Sequence, residues 1–144
     1  MINSISNDLE IKDTCILLKK SGIRVTKQRL LIAEEVFSSN PKHFTVQDLF
    51  QELLKKNKKV ALASIYNTVN KFVDLGILQE IYIEPNKSFF DTITKPHYHI
   101  YDKSSGQIRD VPDGWIKISN IPNLPKGKKI HGINLVINIE NHSK

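Results

Sequence analysis

The pattern of hydrophobic and polar positions is clearest between residues 61 and 76. Apolar residues recur there at steps of three and four, which is the spacing of one helix face. They are Leu62, Ile65, Val69, Phe72 and Val73. The opposite face carries hydroxyl, phenol, amide and ammonium groups that suit DNA base edges and phosphates: Ser64, Tyr66, Asn67, Asn70 and Lys71. Gly76 is a typical residue for the end of such a helix.

Three further helices are predicted before this one. The first covers about residues 7–20, and the second follows the N-cap Thr26 to about Ser38, with Leu30, Ala33 and Phe37 on its apolar face. Thr45 and Asp48 form a capping-box pattern that opens the third. Its apolar positions are Val46, Leu49, Phe50, Leu53 and Leu54. A capped helix, a short turn and a second amphipathic helix form a helix-turn-helix arrangement.

After Gly76 the pattern changes from helix to strand. Residues 77–84 and 88–93 flank the turn sequence Pro85-Asn86-Lys87, which predicts a β-hairpin. Further short strands are expected at 97–101 and 107–111, and a long apolar strand at 130–139. The predicted fold class is therefore α+β: an N-terminal winged helix-turn-helix domain followed by a small α/β dimerisation domain. We expect the first domain at residues 1–84, a hinge at 85–91 and the second domain at 92–144.

Composition and charge restrict the classes of function. The net charge is +6, and two basic clusters, at residues 19–29 and 55–59, favour an anionic partner such as DNA. Neither a membrane span nor a signal peptide is visible, so no membrane partner is expected and a cytoplasmic location is the default. The single cysteine, Cys15, excludes an intramolecular disulfide and a structural zinc site of four cysteines.

The histidines and acids of the second half suggest a metal site. His97 and His99 are two positions apart, so on a strand both side chains point to the same face. Asp91 lies shortly before them and Asp110 on the following strand. Two imidazoles and two carboxylates form a mixed nitrogen and oxygen set that suits Fe²⁺, Mn²⁺ or Zn²⁺. The spacing alone does not assign His43, in the loop before the third helix, to the same site.

The chain resembles the Fur (ferric uptake regulator) family of metal-responsive repressors between Lys19 and Val111. The matching stretches are KKSGIRVTKQRLLIAEEVF, HFTVQDLFQELLKKNKKVALASIYNTVNKFVDLGIL and FFDTITKPHYHIYDKSSGQIRDV. The resemblance implies a homodimer on double-stranded DNA and one regulatory divalent metal per subunit. The ligands that it implies are His43, Asp91, His97, His99 and Asp110. In the family this site lies between the two domains, so metal would fix their angle and the spacing of the two DNA-binding helices.

Asp110, the last of these ligands, and the absence of C-x-x-C pairs indicate which branch of the family the chain resembles. Peroxide-sensing members of the PerR type carry Asp where iron-sensing Fur proteins usually carry Glu, so Asp110 favours the peroxide branch. The absence of C-x-x-C pairs is instead similar to the iron response regulator (Irr) branch. Haem sensing is not expected, because Tyr98 interrupts the histidine run and Cys15 is followed by Ile16 rather than proline. A second family metal site should be absent, because Pro96, Tyr98, Lys117 and Asn138 are poor ligands.

For DNA recognition, the resemblance places Tyr66 and Asn67 in the major groove and Arg24 in the minor groove of an A/T-rich site. It assigns Ser64, Thr68 and Lys71 to phosphates or base edges. The expected function is a metal-dependent homodimeric repressor of peroxide-stress or iron-related genes, binding A/T-rich inverted repeats and released by peroxide oxidation of its ligand histidines. The alternatives are an iron- or haem-sensing regulator of the same fold and, more remotely, a metal-binding protein or metallohydrolase using Glu80 or Glu84.

Overall fold

The computed structural model describes residues 14–38 and 42–143. The chain divides into two compact units, an N-terminal unit that ends at Thr94 and a C-terminal unit that begins at Lys95. This boundary lies later than the predicted hinge at residues 85–91. Most of that segment is a strand of the N-terminal unit, because Lys87–Asp91 has hydrogen-bonded strands on both sides.

The N-terminal unit contains the predicted helices. Helix α1 is described over residues 14–20, and the first part of the prediction, 7–13, lies outside the described residues. Helices α2 (Lys27–Phe37), α3 (Val46–Lys55) and α4 (Leu62–Asp74) follow. The N-caps are as predicted: Thr26 Oγ1 accepts a hydrogen bond from the backbone N–H of Arg29 at 3.2 Å. Thr45 and Asp48 form the reciprocal capping box at 3.0 Å in both directions.

Gly76 ends helix α4 as the sequence predicts. Its φ of +75° is in the left-handed region that favours glycine. The N–H of Ile77 donates to the carbonyl of Phe72, and the N–H of Gly76 to the carbonyl of Val73. These two bonds form a Schellman motif, which satisfies carbonyls that the helix leaves open. The chain can therefore turn directly from α4 into the following strand.

A small sheet completes the N-terminal unit. Its strands are β1 (His43–Phe44), β2 (Gln79–Glu84) and β3 (Lys87–Asp91), in the order β1-β3-β2. Strands β2 and β3 form the predicted hairpin, the wing of a winged helix. Strand β1 was not predicted, because two residues are too few to show an alternating pattern.

The hydrophobic core of the N-terminal unit lies among its helices and one face of the sheet. The core side chains come from every helix and from β1 and β3; they include Leu18, Ile32, Val36, Phe44, Leu49, Leu53, Ile65, Val69, Phe72 and Phe90. Two predicted faces need correction. In α2 the fully buried positions are Ile32, Ala33 and Val36, while Leu30 and Phe37 are only partly buried. In α3, Leu54 is exposed rather than part of the core.

The C-terminal unit is built from three short strands, with no helix among its described residues. They are β4 (His99–Asp102), β5 (Gln107–Asp110) and β6 (Val136–Ile139), in the order β5-β4-β6. Strand β4 pairs antiparallel with β5 and parallel with β6. The long strand predicted at 130–139 is wrong in extent, because only its last four residues pair. Across the described part of the chain, no helix combines the length and apolar character needed to cross a membrane.

Candidate metal centre and nucleic-acid interface

In the N-terminal unit, the sheet brings together two predicted ligands. His43 on β1 and Asp91 on β3 are direct partners in the strand register. Their side chains meet, with His43 Nε2 3.1 Å from Asp91 Oδ2. Asp91 Oδ1 accepts a hydrogen bond from the N–H of Ile93 at 2.8 Å, and the carboxyl group is only 1% exposed. A carboxylate buried this deeply needs positive charge or several donors beside it.

In the C-terminal unit, three predicted ligands converge on one point. Asp110 Oδ1 lies 3.2 Å from His97 Nε2 and 3.3 Å from His99 Nε2. His99 reaches it across the β4–β5 pair, where His99 and Asp110 are register partners. His97 lies just before β4 rather than on it, yet the two imidazole rings are only 4.4 Å apart. The ligand atoms of the three side chains lie within 4.8 Å of one another.

The orientation of the His97 ring indicates what the cluster can hold. His97 Nδ1 lies 2.6 Å from the carbonyl oxygen of Lys95, and because a carbonyl only accepts, Nδ1 must be the donor. In the neutral ring, Nε2 then carries a lone pair and lies 3.2 Å from Asp110 Oδ1. Two lone pairs at this distance repel each other unless a proton or a metal cation lies between them. A second hydrogen bond that fixes the tautomer is typical of metal-binding histidines.

The donor set fits a divalent transition metal. Imidazole nitrogens and carboxylate oxygens suit Mn²⁺, Fe²⁺ and Zn²⁺, and the described residues offer no cysteine thiolate in either group. His43, Asp91, His99 and Asp110 lie on short paired strands, and the ring of His97 is positioned by its hydrogen bond to the carbonyl oxygen of Lys95. The His/Asp groups could therefore hold a metal ion.

A charged network joins Lys42, just before β1, to α2 and to the end of α3. Lys42 Nζ donates to the carbonyl oxygen of Glu35 at 2.6 Å, and Lys56 Nζ lies 2.7 Å from Glu35 Oε2. Burial lowers the pKa of Lys42 below its usual value of 10.5, and the charge of Glu35 partly opposes this. Lys42 also exchanges two hydrogen bonds with Thr92, at 3.1 and 3.3 Å, so the network ties the ligand strands to α2.

Helix α4 presents most of the predicted DNA-contacting side chains to the outside. Tyr66, Asn67 and Lys71 are exposed and Ser64 is partly buried. Thr68 is a correction, because it is only 5% exposed and lies on the buried face with Ile65 and Phe72. Its side chain is therefore not available to DNA in this structure.

The surroundings of α4 add residues to the predicted surface. Arg24, between α1 and α2, is exposed, and its carbonyl accepts a hydrogen bond from the Arg29 guanidinium at 2.8 Å. A groove of about 610 Å³ separates α4 from the wing, lined among others by Gln47, Tyr66, Asn70 and Tyr82. Gln47 and Tyr82 were not singled out from the sequence. The only signal for Tyr82 was its outward position in the alternating pattern of β2.

Comparison with known proteins identifies the family. The sequence model of the Ferric uptake regulator family matches residues 20–138. The chain belongs to this family. It is 36% identical over 105 residues to the peroxide-responsive repressor PerR of Staphylococcus epidermidis, covering 73% of this chain and 69% of that protein.

Two solved structures of the Fur family share the fold. The Vibrio cholerae ferric uptake regulator matches with a TM-score of 0.67 and 22% identity, over 87% of this chain and 97% of that one. The ferric uptake regulator of Pseudomonas aeruginosa, solved with manganese, matches with a TM-score of 0.63 and 18% identity, over 88% and 96%. The family and the predicted α+β class are thereby confirmed, although the C-terminal unit has no helix among its described residues. Because Fur and PerR proteins are transcriptional regulators, this chain is a metal-responsive regulator and not an enzyme.

Proposed function

We propose that this chain is a homodimeric repressor whose affinity for operator DNA depends on one divalent metal ion per subunit. The observation that carries the proposal is the contact between His97 Nε2 and Asp110 Oδ1, 3.2 Å apart, with Nδ1 already donating to a carbonyl. A divalent cation at this point would be coordinated by both atoms. The bound cofactor would be an Fe²⁺, Mn²⁺ or Zn²⁺ ion rather than haem.

We further propose that both ligand groups bind the same ion. His43 and Asp91 would come from the N-terminal unit, and His97, His99 and Asp110 from the C-terminal unit. Only residues 92–96 separate Asp91 from His97, so a shared ion would restrain the connection between the units. Without metal the units would sample many angles, and ligation would select the angle that fits two half-sites. Moving most molecules to one state requires several kcal/mol of differential binding, which ligation by several residues can supply.

The DNA-contacting residues are proposed to be Arg24, Ser64, Tyr66, Asn67 and Lys71. Tyr66 and Asn67 would enter the major groove of an A/T-rich inverted repeat, with Tyr66 against a thymine methyl group. Arg24 would enter the minor groove, and Ser64 and Lys71 would contact phosphates or base edges. The exposure of Tyr66, Asn67 and Lys71 on one side of α4 supports this assignment.

The proposed signal is peroxide, with iron sensing as the second candidate. The 36% identity to a peroxide-responsive repressor and the presence of Asp110 rather than Glu support it. With iron supplying the redox chemistry, one oxygen atom of peroxide would be added to a ligand histidine and the other would leave as water. The oxidised ring is a poorer ligand, so the metal-dependent angle and the DNA affinity would be lost.

The decisive experiment is the DNA affinity of metal-free protein titrated with Mn²⁺, Fe²⁺ and Zn²⁺ at fixed salt, using an A/T-rich inverted repeat. We expect at least one metal to tighten binding about tenfold or more, which is roughly 1.4 kcal/mol of coupling. The variant His97→Ala/His99→Ala should lose this response while retaining its circular dichroism spectrum. Metal-independent DNA binding by the wild type would rule out the proposed switch.

The same preparation distinguishes the two signals. After Fe²⁺ and peroxide, mass spectrometry of the ligand-bearing peptides should show the gain of one oxygen atom on a histidine, together with release of DNA. An unmodified protein that still responds to Fe²⁺ would favour iron sensing.

A further inference from the structure

Three residues lie side by side across the N-terminal sheet, and two of them are proposed ligands. Asp91 on the central strand β3 is the register partner of His43 on β1 and also of Gln79 on β2. Directly opposed residues of antiparallel strands place their side chains on the same face, with Cβ atoms about 5 Å apart. Gln79 therefore flanks Asp91 on the side opposite to His43.

The amide group of Gln79 is in an unusual state. Its Oε1 atom is buried and has no hydrogen-bond partner among the described residues. A buried oxygen without a donor is unfavourable, and such groups are rare in folded proteins. The neighbouring Asp91 carboxylate cannot satisfy it, because an ionised carboxylate only accepts hydrogen bonds. The oxygen therefore requires a cation, or a donor such as a water molecule, that the described residues do not supply.

We propose that Gln79 is a metal-selectivity residue. Its amide oxygen binds the metal ion beside Asp91, either directly or through a water molecule. This inference rests on the proposed metal centre and extends it. The oxygen would bind either the ion itself or a water molecule in its coordination shell, so the shell would hold a sixth position besides the five proposed ligands. Mn²⁺ and Fe²⁺ accept additional oxygen ligands, whereas Zn²⁺ commonly completes its shell with four. Gln79 should thus favour Mn²⁺ and Fe²⁺ over Zn²⁺.

The test compares Gln79→Leu, Gln79→Glu and the wild type in metal binding and in metal-free stability. Leucine has a similar size and removes the oxygen, so the Kd for Mn²⁺ should rise about tenfold or more. The Kd for Zn²⁺ should change by less than about threefold. Because leucine also removes an unsatisfied buried group, the Tm of the metal-free protein should stay equal or rise. Glutamate keeps an oxygen at this position, so Mn²⁺ affinity should be retained.

The matched control is Gln51→Leu, the same substitution at an exposed position of α3, which should leave both metal affinities unchanged. Three results for Gln79→Leu would each overturn the selectivity role: an equal loss of affinity for Mn²⁺ and Zn²⁺, an unchanged affinity for Mn²⁺, or a lower Tm of the metal-free protein. A wild type that binds none of these metals would instead overturn the metal centre itself, and the selectivity role with it.

Discussion

The two units of the molecule differ in how they bury their apolar side chains. In the N-terminal unit, all described helices and two of the strands contribute to one core, and Ile65, Val69 and Phe72 are completely buried. In the C-terminal unit, the side chains from residue 112 to 134 are almost all exposed. They include large apolar groups, among them Trp115, Ile118, Ile121, Leu124, Ile130 and Ile133.

This difference indicates what each unit needs to be stable. The N-terminal unit has its own core and has capped helices, so its packing is satisfied within one chain. The C-terminal unit combines exposed apolar side chains with a three-stranded sheet whose two outer strands have no further strand beside them among the residues that the structure describes. Such surfaces usually mark an interface. The contrast therefore supports the proposed homodimer. Four predictions test the contrast between the two units, beginning with the largest expected effect.

Phe72→Ala should show that the N-terminal core is the main source of stability. Its side chain is fully buried at the centre of that core, and truncation leaves a cavity. We expect a loss of about 3–5 kcal/mol in the free energy of unfolding, measured by urea denaturation. Ile16→Ala, at an exposed apolar position, is the control and should cost far less. Similar losses in the two variants would contradict the assignment of the core.

Ile137→Asp should show that the C-terminal unit depends on a second copy. The side chain is exposed on strand β6, and a charge there would be buried without a partner in a dimer. We expect the dimer dissociation constant to rise about a hundredfold, or roughly 2.7 kcal/mol, by sedimentation velocity. Ser105→Asp adds the same charge in the β4–β5 turn and should leave assembly unchanged. A wild type that sediments as a monomer at all concentrations would disprove the dimer.

Lys56→Ala should show that the N-terminal unit also depends on a polar network. Lys56 pairs with the almost buried carboxylate of Glu35 at 2.7 Å. Removing it leaves that carboxylate poorly compensated, at a cost of about 1–3 kcal/mol. Lys55→Ala breaks an exposed pair with Glu52, at 3.3 Å, and should cost less than about 0.5 kcal/mol. Equal effects of the two substitutions would mean that the burial of Glu35 is unimportant.

The smallest effect concerns the pH dependence caused by Lys42. Because burial lowers its pKa in the folded protein, the unfolded chain binds more protons just below pH 10.5. The free energy of unfolding should therefore gain a positive contribution as pH rises from the folded pKa towards 10.5. Comparing wild type with Lys42→Gln isolates this contribution from that of other groups. A steeper rise in the variant would contradict the assigned direction.

Local signals in the sequence predicted much of this fold. The capping box of Thr45 and Asp48 and the terminal Gly76 act over a few residues, so they could be recognised without tertiary information. The burial of Thr68 was also present in the spacing, because it lies three residues after Ile65 and four before Phe72. Thr68 was nevertheless assigned to the DNA-contacting face, because its hydroxyl group suits contacts with phosphates and base edges.

Features that depend on distant pairing could not be predicted in the same way. His43 was placed in a loop, yet it lies on a two-residue strand that exists only through its partner β3. The apolar run 130–139 looks like one strand, but only Val136–Ile139 finds a neighbour in β4. The position of Gln79 opposite Asp91 depends on the pairing of β2 with β3, which no periodicity within β2 reveals.

Strand β3 has a consequence for how signals would pass through the molecule. It begins at Lys87, beside the wing turn, and ends at the proposed ligand Asp91, so both lie on one short continuous segment. A change in the position of the Asp91 carboxylate would therefore be transmitted along the strand that lines the groove between α4 and the wing. Thermodynamic reciprocity then applies in both directions: if metal tightens binding to the operator, the operator must retain metal more tightly by the same factor. A repressor bound to DNA would lose its metal last.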